Sequence, residues 1–110
     1  PAHQDGAFFQ NYKSVRMITL WIALSEVTRL SGALQFASVL PQCVLPHDRL
    51  LNSAFACELA TVPETEFEAV ELPSGGCVAH DAMAIHKSGP NETDRVRRAI
   101  AFCYRAPAMP

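Results

Sequence analysis

The chain has 110 residues, of which 49% are hydrophobic and 18% charged, and its formal net charge is −2. This composition excludes intrinsic disorder and predicts one folded domain or part of one. The basic residues are scattered apart from a short cluster at 95–98, so we expect no nucleic-acid-binding face. No apolar run approaches the roughly 20 residues of a membrane helix, so we expect no membrane span.

The sequence opens on Pro1-Ala2-His3-Gln4-Asp5, without an initiator Met and without the pattern of a secretory signal peptide. We therefore expect residues 1–110 to be a single-domain fragment of a longer protein, incomplete at the N-terminus. The four cysteines include no C-x-x-C pair, which predicts reduced, packed thiols and a cytoplasmic location. Disulfides in a secreted protein are the alternative.

The first predicted strand covers residues 15–24, a run rich in β-branched and aromatic side chains. Ser31-Gly32 predicts a turn, and residues 33–39 could form the return strand of a hairpin-like connection. Residues 41–63 are predicted to be a loop region, because its prolines lack the N–H that a central strand donates. Within that region, residues 48–60 could hold a short helix.

The second half of the chain predicts further short strands separated by turns. Residues 66–72 alternate charged and apolar side chains, which is typical of a half-exposed strand. Two more strands are predicted at 77–85 and 98–104, with turns at 73–76 and 88–91. Five or so strands with at most one helix indicate an all-β antiparallel sandwich or a small open barrel.

Candidate metal ligands lie at the two ends of the sequence. His3 and Asp5 form a His-x-Asp motif, and residues i and i+2 of a strand project from the same face. Two imidazoles and one carboxylate can occupy one face of Fe(II) and leave three positions for an organic co-substrate and oxygen. With His86 as the distant third ligand, the sequence predicts a redox iron site.

The motif and three further segments together resemble the phytanoyl-CoA dioxygenase family. These segments are the strand Thr19-Leu20-Trp21-Ile22-Ala23-Leu24, the turn Ser31-Gly32-Ala33-Leu34, and residues 86–99, which read HKSGPNETDRVRRA. The resemblance covers nearly the whole chain in the same order. It implies a mainly all-β double-stranded β-helix, the cupin-like jelly roll, and an oxygenase that depends on Fe(II) and 2-oxoglutarate.

The resemblance also implies roles for individual residues. Its iron ligands correspond to His3, Asp5 and His86, and its clamp for the distal carboxylate of 2-oxoglutarate corresponds to Arg97. An arginine suits this role because its planar fork binds a carboxylate bidentately. Three further positions match residues that help to hold 2-oxoglutarate in relatives: Gln4, Trp21 and Ser88.

The reaction that the resemblance implies couples oxygen activation at iron to decarboxylation of 2-oxoglutarate to succinate and CO2. The product would be a hydroxylated small organic molecule, lipid-like or a secondary metabolite. Family members with Gly or Ala in place of Asp5 halogenate instead, so the carboxylate indicates a hydroxylase. The alternatives are a cupin-like domain that binds metal or ligand without turnover, an inactive remnant of the oxygenase fold, and a zinc hydrolase.

Several residues near these motifs have competing interpretations. Arg95 and Arg98 compete with Arg97. In a strand Arg97 and Arg98 point in opposite directions, so only one of those two can face the site. We favour Arg97 and expect Arg95 and Arg98 to face solvent. Trp21 is expected either in the core or along the co-substrate pocket. His80 is expected to be a structural histidine and His47 a surface residue of the loop.

Overall fold

The computed structural model describes residues 1–8, 16–49 and 57–107, and in these the chain is almost entirely β. A short 3₁₀ helix, Asp5–Phe8, is the one helical element of the described residues. It is followed by β1 (Met17–Ala23), β2 (Leu34–Ala37), β3 (His47–Arg49), β4 (Cys57–Leu59), β5 (Phe67–Ala69), β6 (Cys77–Asp81), β7 (His86–Ser88) and β8 (Ala99–Arg105).

The strands form two three-stranded sheets and one two-stranded sheet, with antiparallel pairing throughout. The first sheet has the order β6-β1-β8, the second has the order β5-β2-β7, and β3 pairs with β4. In the first sheet Thr19 lies opposite His80 on one side and opposite Cys103 on the other. This architecture agrees with the all-β, double-stranded β-helix prediction.

The connection from β1 to β2 differs from the predicted hairpin. The strand prediction for 15–24 is confirmed by β1, and the segment 33–39 does contain β2, but β2 pairs with β5 and β7 rather than with β1. Between the two strands, Val27 and Leu72 exchange both of their backbone hydrogen bonds. This bridge lies on the segment by which the chain leaves the first sheet after β1 and enters the second sheet at β2.

The helix predicted at 48–60 is also wrong where the structure describes it. His47–Arg49 and Cys57–Leu59 are the paired strands β3 and β4, and residues 50–56 lie outside the described part of the chain. The N–H of Leu59 donates to the carbonyl of Ala2, so pairing with the N-terminal segment overrides local helix propensity. The strands predicted at 66–72 and 77–85 are confirmed in shorter form by β5 and β6, and the strand predicted at 98–104 is confirmed by β8, shifted by one residue.

Two small apolar clusters lie on different parts of this framework. One contains Ala2, Leu59 and Ile85. Ala2 and Ile85 directly precede His3 and His86 in the chain, and the N–H of Leu59 donates to the carbonyl of Ala2. The other contains Ala23, Val27 and Ala33, with Trp21 packed against it. No helix among the described residues has the length and apolarity that crossing a bilayer requires.

Candidate metal and co-substrate site

The two candidate histidine ligands are brought together by backbone pairing. His3 and His86 form an isolated antiparallel bridge in which each N–H donates to the other's carbonyl over 3.0 Å. Residues paired in this way project their side chains to the same face, and the two imidazole rings lie with centroids 4.4 Å apart. This single bridge joins two residues that are 83 positions apart in the sequence and brings the two candidate histidine ligands together.

The carboxylate of Asp5 completes the group from the first turn of the 3₁₀ helix. Its Oδ1 lies 3.5 Å from Nε2 of His3 and 3.4 Å from Nε2 of His86. The expectation that His3 and Asp5 share a strand face is therefore wrong at Asp5, because the chain leaves the extended conformation there. The 3₁₀ turn still aims the carboxylate at the histidine pair.

The hydrogen bonds of the two histidines set the tautomers that a metal site needs. Nδ1 of His3 lies 3.0 Å from the carbonyl oxygen of Pro1, and Nδ1 of His86 lies 3.0 Å from that of Ala84. A carbonyl can only accept, so each Nδ1 carries the proton and donates it. Each Nε2 faces Oδ1 of Asp5 and is the nitrogen left to bind a metal, as in metal-ligating histidines.

The surroundings of Asp5 favour its charged form. Burial alone would raise its pKa, but hydrogen bonds with His3, His86 and Thr19, together with the charge of His86, hold the pKa of Asp5 well below its ordinary value. The shortest of these contacts is the one with Thr19, whose hydroxyl donates to Oδ2 over 2.6 Å. Asp5 is therefore an anionic ligand at neutral pH, with Oδ1 facing the histidines.

The donor atoms fit one metal ion. The ligand atoms of His3, Asp5 and His86 all lie within 4.8 Å of one another. Donors bound at right angles about 2.1 Å from a common ion would lie about 3.0 Å apart, and the two contacts of Oδ1 of Asp5, at 3.5 and 3.4 Å, are close to that spacing. Two histidines and one carboxylate with open positions opposite are the donor set of non-haem Fe(II) oxygenases.

Gln4 lies on the opposite face of the ligand segment and is fully buried, with 0% of its surface exposed. Its side-chain amide donates to the carbonyls of Cys43 and Met83, over 3.1 and 2.8 Å, and its carbonyl accepts from the N–H of Leu45 over 2.8 Å. Both amide hydrogens are thus committed to the backbone. This geometry differs from the expected contact with 2-oxoglutarate and makes Gln4 an anchor of the ligand segment.

Arg97 lies beside Trp21 on the inner side of the first sheet. Its guanidinium carbon is 5.2 Å from the centroid of the indole ring, and Arg97 is half-buried while Arg95 and Arg98 are exposed. Trp21 shares a strand face with Thr19, about 7 Å away along β1. The contact with Trp21 puts Arg97 next to that face of β1, just before β8 begins at Ala99, and its role as the co-substrate clamp stays a prediction.

Trp21 and Ser88 occupy intermediate positions. Trp21 packs against the cluster at the end of β1 and also contacts Arg97, so it serves the core and borders the site at once. Ser88 is the last residue of β7, two residues beyond His86, and it is exposed. Strand alternation puts it on the same face as the ligand, and its role in holding the co-substrate stays a prediction.

Two histidines have positions that the sequence did not indicate. His47 was expected on the surface of a loop, but it lies in β3 and its Nε2 accepts the backbone N–H of Gln4 over 3.0 Å. His80 was expected to be structural, and it is 7% exposed with Nε2 3.9 Å from Oδ2 of Asp5. Only long-range strand pairing brings either residue to the N-terminal motif.

Several known proteins are similar to this chain in sequence or in fold. Methylphosphonate hydroxylase of Gimesia maris is 31% identical over 105 residues, which are 96% of this chain and 38% of the relative. EvdO2 of Micromonospora carbonacea var. aurantiaca, solved in complex with 2-oxoglutarate, has a TM-score of 0.83 and 32% identity over 99% of this chain and 46% of its own. The non-heme monooxygenase ThoJ has a TM-score of 0.72 and 27% identity over 93% of this chain and 38% of its own.

The chain thus spans less than half the length of each of these relatives. The model of the phytanoyl-CoA dioxygenase family matches residues 1–99, which include every residue of the candidate site. The chain is a member of the phytanoyl-CoA dioxygenase family.

Proposed function

We propose that this protein is an Fe(II)- and 2-oxoglutarate-dependent oxygenase that hydroxylates an unactivated C–H bond of a small organic substrate. The observation that supports the proposal most directly is the convergence of two histidine Nε2 atoms on one carboxylate oxygen, Oδ1 of Asp5. The resemblance to EvdO2 in complex with 2-oxoglutarate and to a hydroxylase of Gimesia maris supports the same reaction class.

In this proposal the residues of the triad hold the iron. His3 and His86 bind through Nε2, because Nδ1 of each donates a hydrogen bond to a backbone carbonyl. Asp5 binds through Oδ1 and offsets part of the positive charge of the ion. When bound, iron supplies the activation of oxygen that drives decarboxylation of 2-oxoglutarate to succinate and CO2 and hydroxylation of the substrate.

Arg97 is proposed to bind the distal carboxylate of 2-oxoglutarate. The indole ring of Trp21 lies against its guanidinium and limits the directions that the side chain can take. A half-buried guanidinium has five donors in a fixed plane, and a carboxylate can satisfy two of them at once. The clamp would orient the co-substrate so that its other end reaches the iron.

The distal clamp also separates this proposal from a zinc hydrolase with the same three ligands. Hydrolysis at zinc requires a bound water and a base but no cation reserved for the far end of a dicarboxylate. The position of Arg97 beside Trp21, on the face that leads to Asp5, favours the oxygenase.

The proposal is tested by anaerobic titration of the chain with Fe(II) and 2-oxoglutarate while recording the visible metal-to-ligand charge-transfer band. We expect a band in the wild type, no band in His86→Ala, and a band that requires more 2-oxoglutarate in Arg97→Ala. Arg98→Ala is the matched control, because Arg98 is exposed, and it should titrate like the wild type.

A folded wild-type chain that binds Fe(II) but develops no band with 2-oxoglutarate would contradict the oxygenase and favour the non-catalytic cupin-like alternative. Equal titration of the Arg97→Ala and Arg98→Ala variants would show that the clamp is misassigned. Circular dichroism on each variant establishes that the β fold is retained.

A further inference from the structure

His80 is a buried histidine that belongs to neither the ligand set nor the apolar clusters. It lies on β6, directly opposite Thr19 in the strand register, and both residues point toward Asp5. Its ring lies 4.4 Å from that of His86 and 5.3 Å from that of Phe36, measured between centroids. The burial of an imidazole here needs a physical reason, because a phenyl ring would fill the space without a polar group.

The two oxygens of the Asp5 carboxylate have different neighbours. Oδ1 faces the Nε2 atoms of the two ligand histidines. Oδ2 accepts a hydrogen bond from Thr19 and lies 3.9 Å from Nε2 of His80. The carboxylate is thus divided into one oxygen that faces the metal site and one that faces the strand pair β1-β6.

The tautomer of His80 follows from its unpartnered nitrogen. Nδ1 of His80 is buried and has no hydrogen-bond partner among the described residues. A buried donor without an acceptor is costly, so the proton is better placed on Nε2, where a carboxylate oxygen is near. This is the opposite tautomer to that of His3 and His86, whose Nδ1 atoms donate to carbonyls.

We propose that His80 is a positioning residue that acts with Thr19 to hold Oδ2 of Asp5, so that only Oδ1 is presented to the metal. This inference rests on the proposed metal site and extends it to the neighbouring strand pair. A shift of about 1 Å brings Nε2 of His80 into hydrogen-bond range of Oδ2. With both donors engaged, the carboxylate cannot turn to bind through two oxygens, and a coordination position stays open for the co-substrate.

The test uses Co(II), which reports its coordination through visible d–d bands. The wild type is titrated with Co(II) beside His80→Phe, His80→Gln and Thr19→Val. His80→Phe keeps an aromatic ring but loses the donor, and His80→Gln offers an amide donor in its place. Thr61→Val is the matched control for the threonine, because Thr61 is exposed.

We expect His80→Phe and Thr19→Val each to weaken Co(II) binding about 10- to 100-fold, the range found when outer-shell partners of metal ligands are removed. Their d–d bands should also differ from those of the wild type, because the carboxylate changes its mode of binding. The affinity of His80→Gln should be restored toward the wild-type value. In the double variant His80→Phe/Thr19→Val the two losses of Co(II) affinity should not add, because both donors hold the same oxygen.

The inference is overturned if folded His80→Phe binds Co(II) with the affinity and spectrum of the wild type, or if His80→Gln is no better than His80→Phe. If His80→Phe does not fold, the comparison of His80→Gln and Thr19→Val with the wild type decides the question in the same way. Failure of the proposed metal site itself is distinguishable: the wild type and His86→Ala would then bind Co(II) equally weakly.

Discussion

Replacement of Gln4 tests how the ligand segment is held in place. The Gln4→Met variant keeps the length and nearly the volume of the side chain but removes three hydrogen bonds to the backbone, with Cys43, Leu45 and Met83. A buried backbone group left without its partner costs about 1–3 kcal/mol. Cys43 is exposed and its carbonyl can be hydrated, whereas Leu45 and Met83 are partly buried.

The expected loss in the free energy of unfolding is therefore about 2–4 kcal/mol, less than the sum of three full penalties. This is a large part of the roughly 5–15 kcal/mol that stabilises a typical domain. The measurement is urea unfolding of the metal-free chain followed by circular dichroism, with stability taken from the midpoint at unchanged slope. Gln42→Met is the matched control, because Gln42 is exposed and directly precedes Cys43. Its free energy of unfolding should stay within about 0.5 kcal/mol of the wild-type value.

The reasoning would be refuted by a Gln4→Met variant that unfolds at the same urea concentration as the wild type. If such a variant also bound 2-oxoglutarate more weakly at saturating Fe(II), the amide would belong to the co-substrate site after all. The two interpretations of Gln4 therefore predict opposite results in two independent measurements.

Three further changes have expected outcomes. Arg97→Lys should weaken 2-oxoglutarate binding about 10-fold or more through loss of the bidentate fork, whereas Arg98→Lys should not. Isothermal titration calorimetry in the presence of Fe(II) measures both affinities, and equal values would contradict the clamp. Asp5→Ala should weaken Co(II) binding strongly in a d–d titration in halide-free buffer while the circular dichroism spectrum is retained, and undiminished binding would exclude the carboxylate as a ligand. Gly32→Ala should lower the free energy of unfolding by about 1–3 kcal/mol, because φ is +91° and a Cβ would meet the carbonyl oxygen of Gly89 at 3.0 Å. Gly75→Ala is the control, because Gly75 has φ +84° but a Cβ there would lie in open space. It should lose less stability in the same urea assay, and an equal loss would mean that the close approach to Gly89 is unimportant.

Much of the candidate site could be read from local spacing. His3 and His86 stand out because histidine and aspartate in a recognisable motif order indicate metal binding. Arg97 is favoured over Arg98 because it matches the family's clamp position, and both residues lie just before β8, with Arg97 half-buried and Arg98 exposed. The strands β1, β6 and β8 were also predictable, since their β-branched and aromatic residues lie between clear turn signals.

Other features depend on contacts between residues far apart in the sequence. Residues 47–59 contain good helix formers, yet their described ends are paired strands, because Leu59 pairs with the N-terminal segment. His47 becomes a support for Gln4 only when that segment is in place. The polarity and spacing of these residues contain no sign of their partners.

The sequence by itself determined which chemical groups are available: two imidazoles, one carboxylate and one arginine. The tertiary structure alone decided which oxygen of Asp5 meets the histidines and which one meets Thr19 and His80. The physical reason is that side-chain periodicity is a local property of the backbone, whereas the pairing of β1 with β6 and of His3 with His86 joins segments more than 50 residues apart. The hydrophobic pattern of a strand limits which of its faces is buried, but it does not name the distant strand with which it pairs.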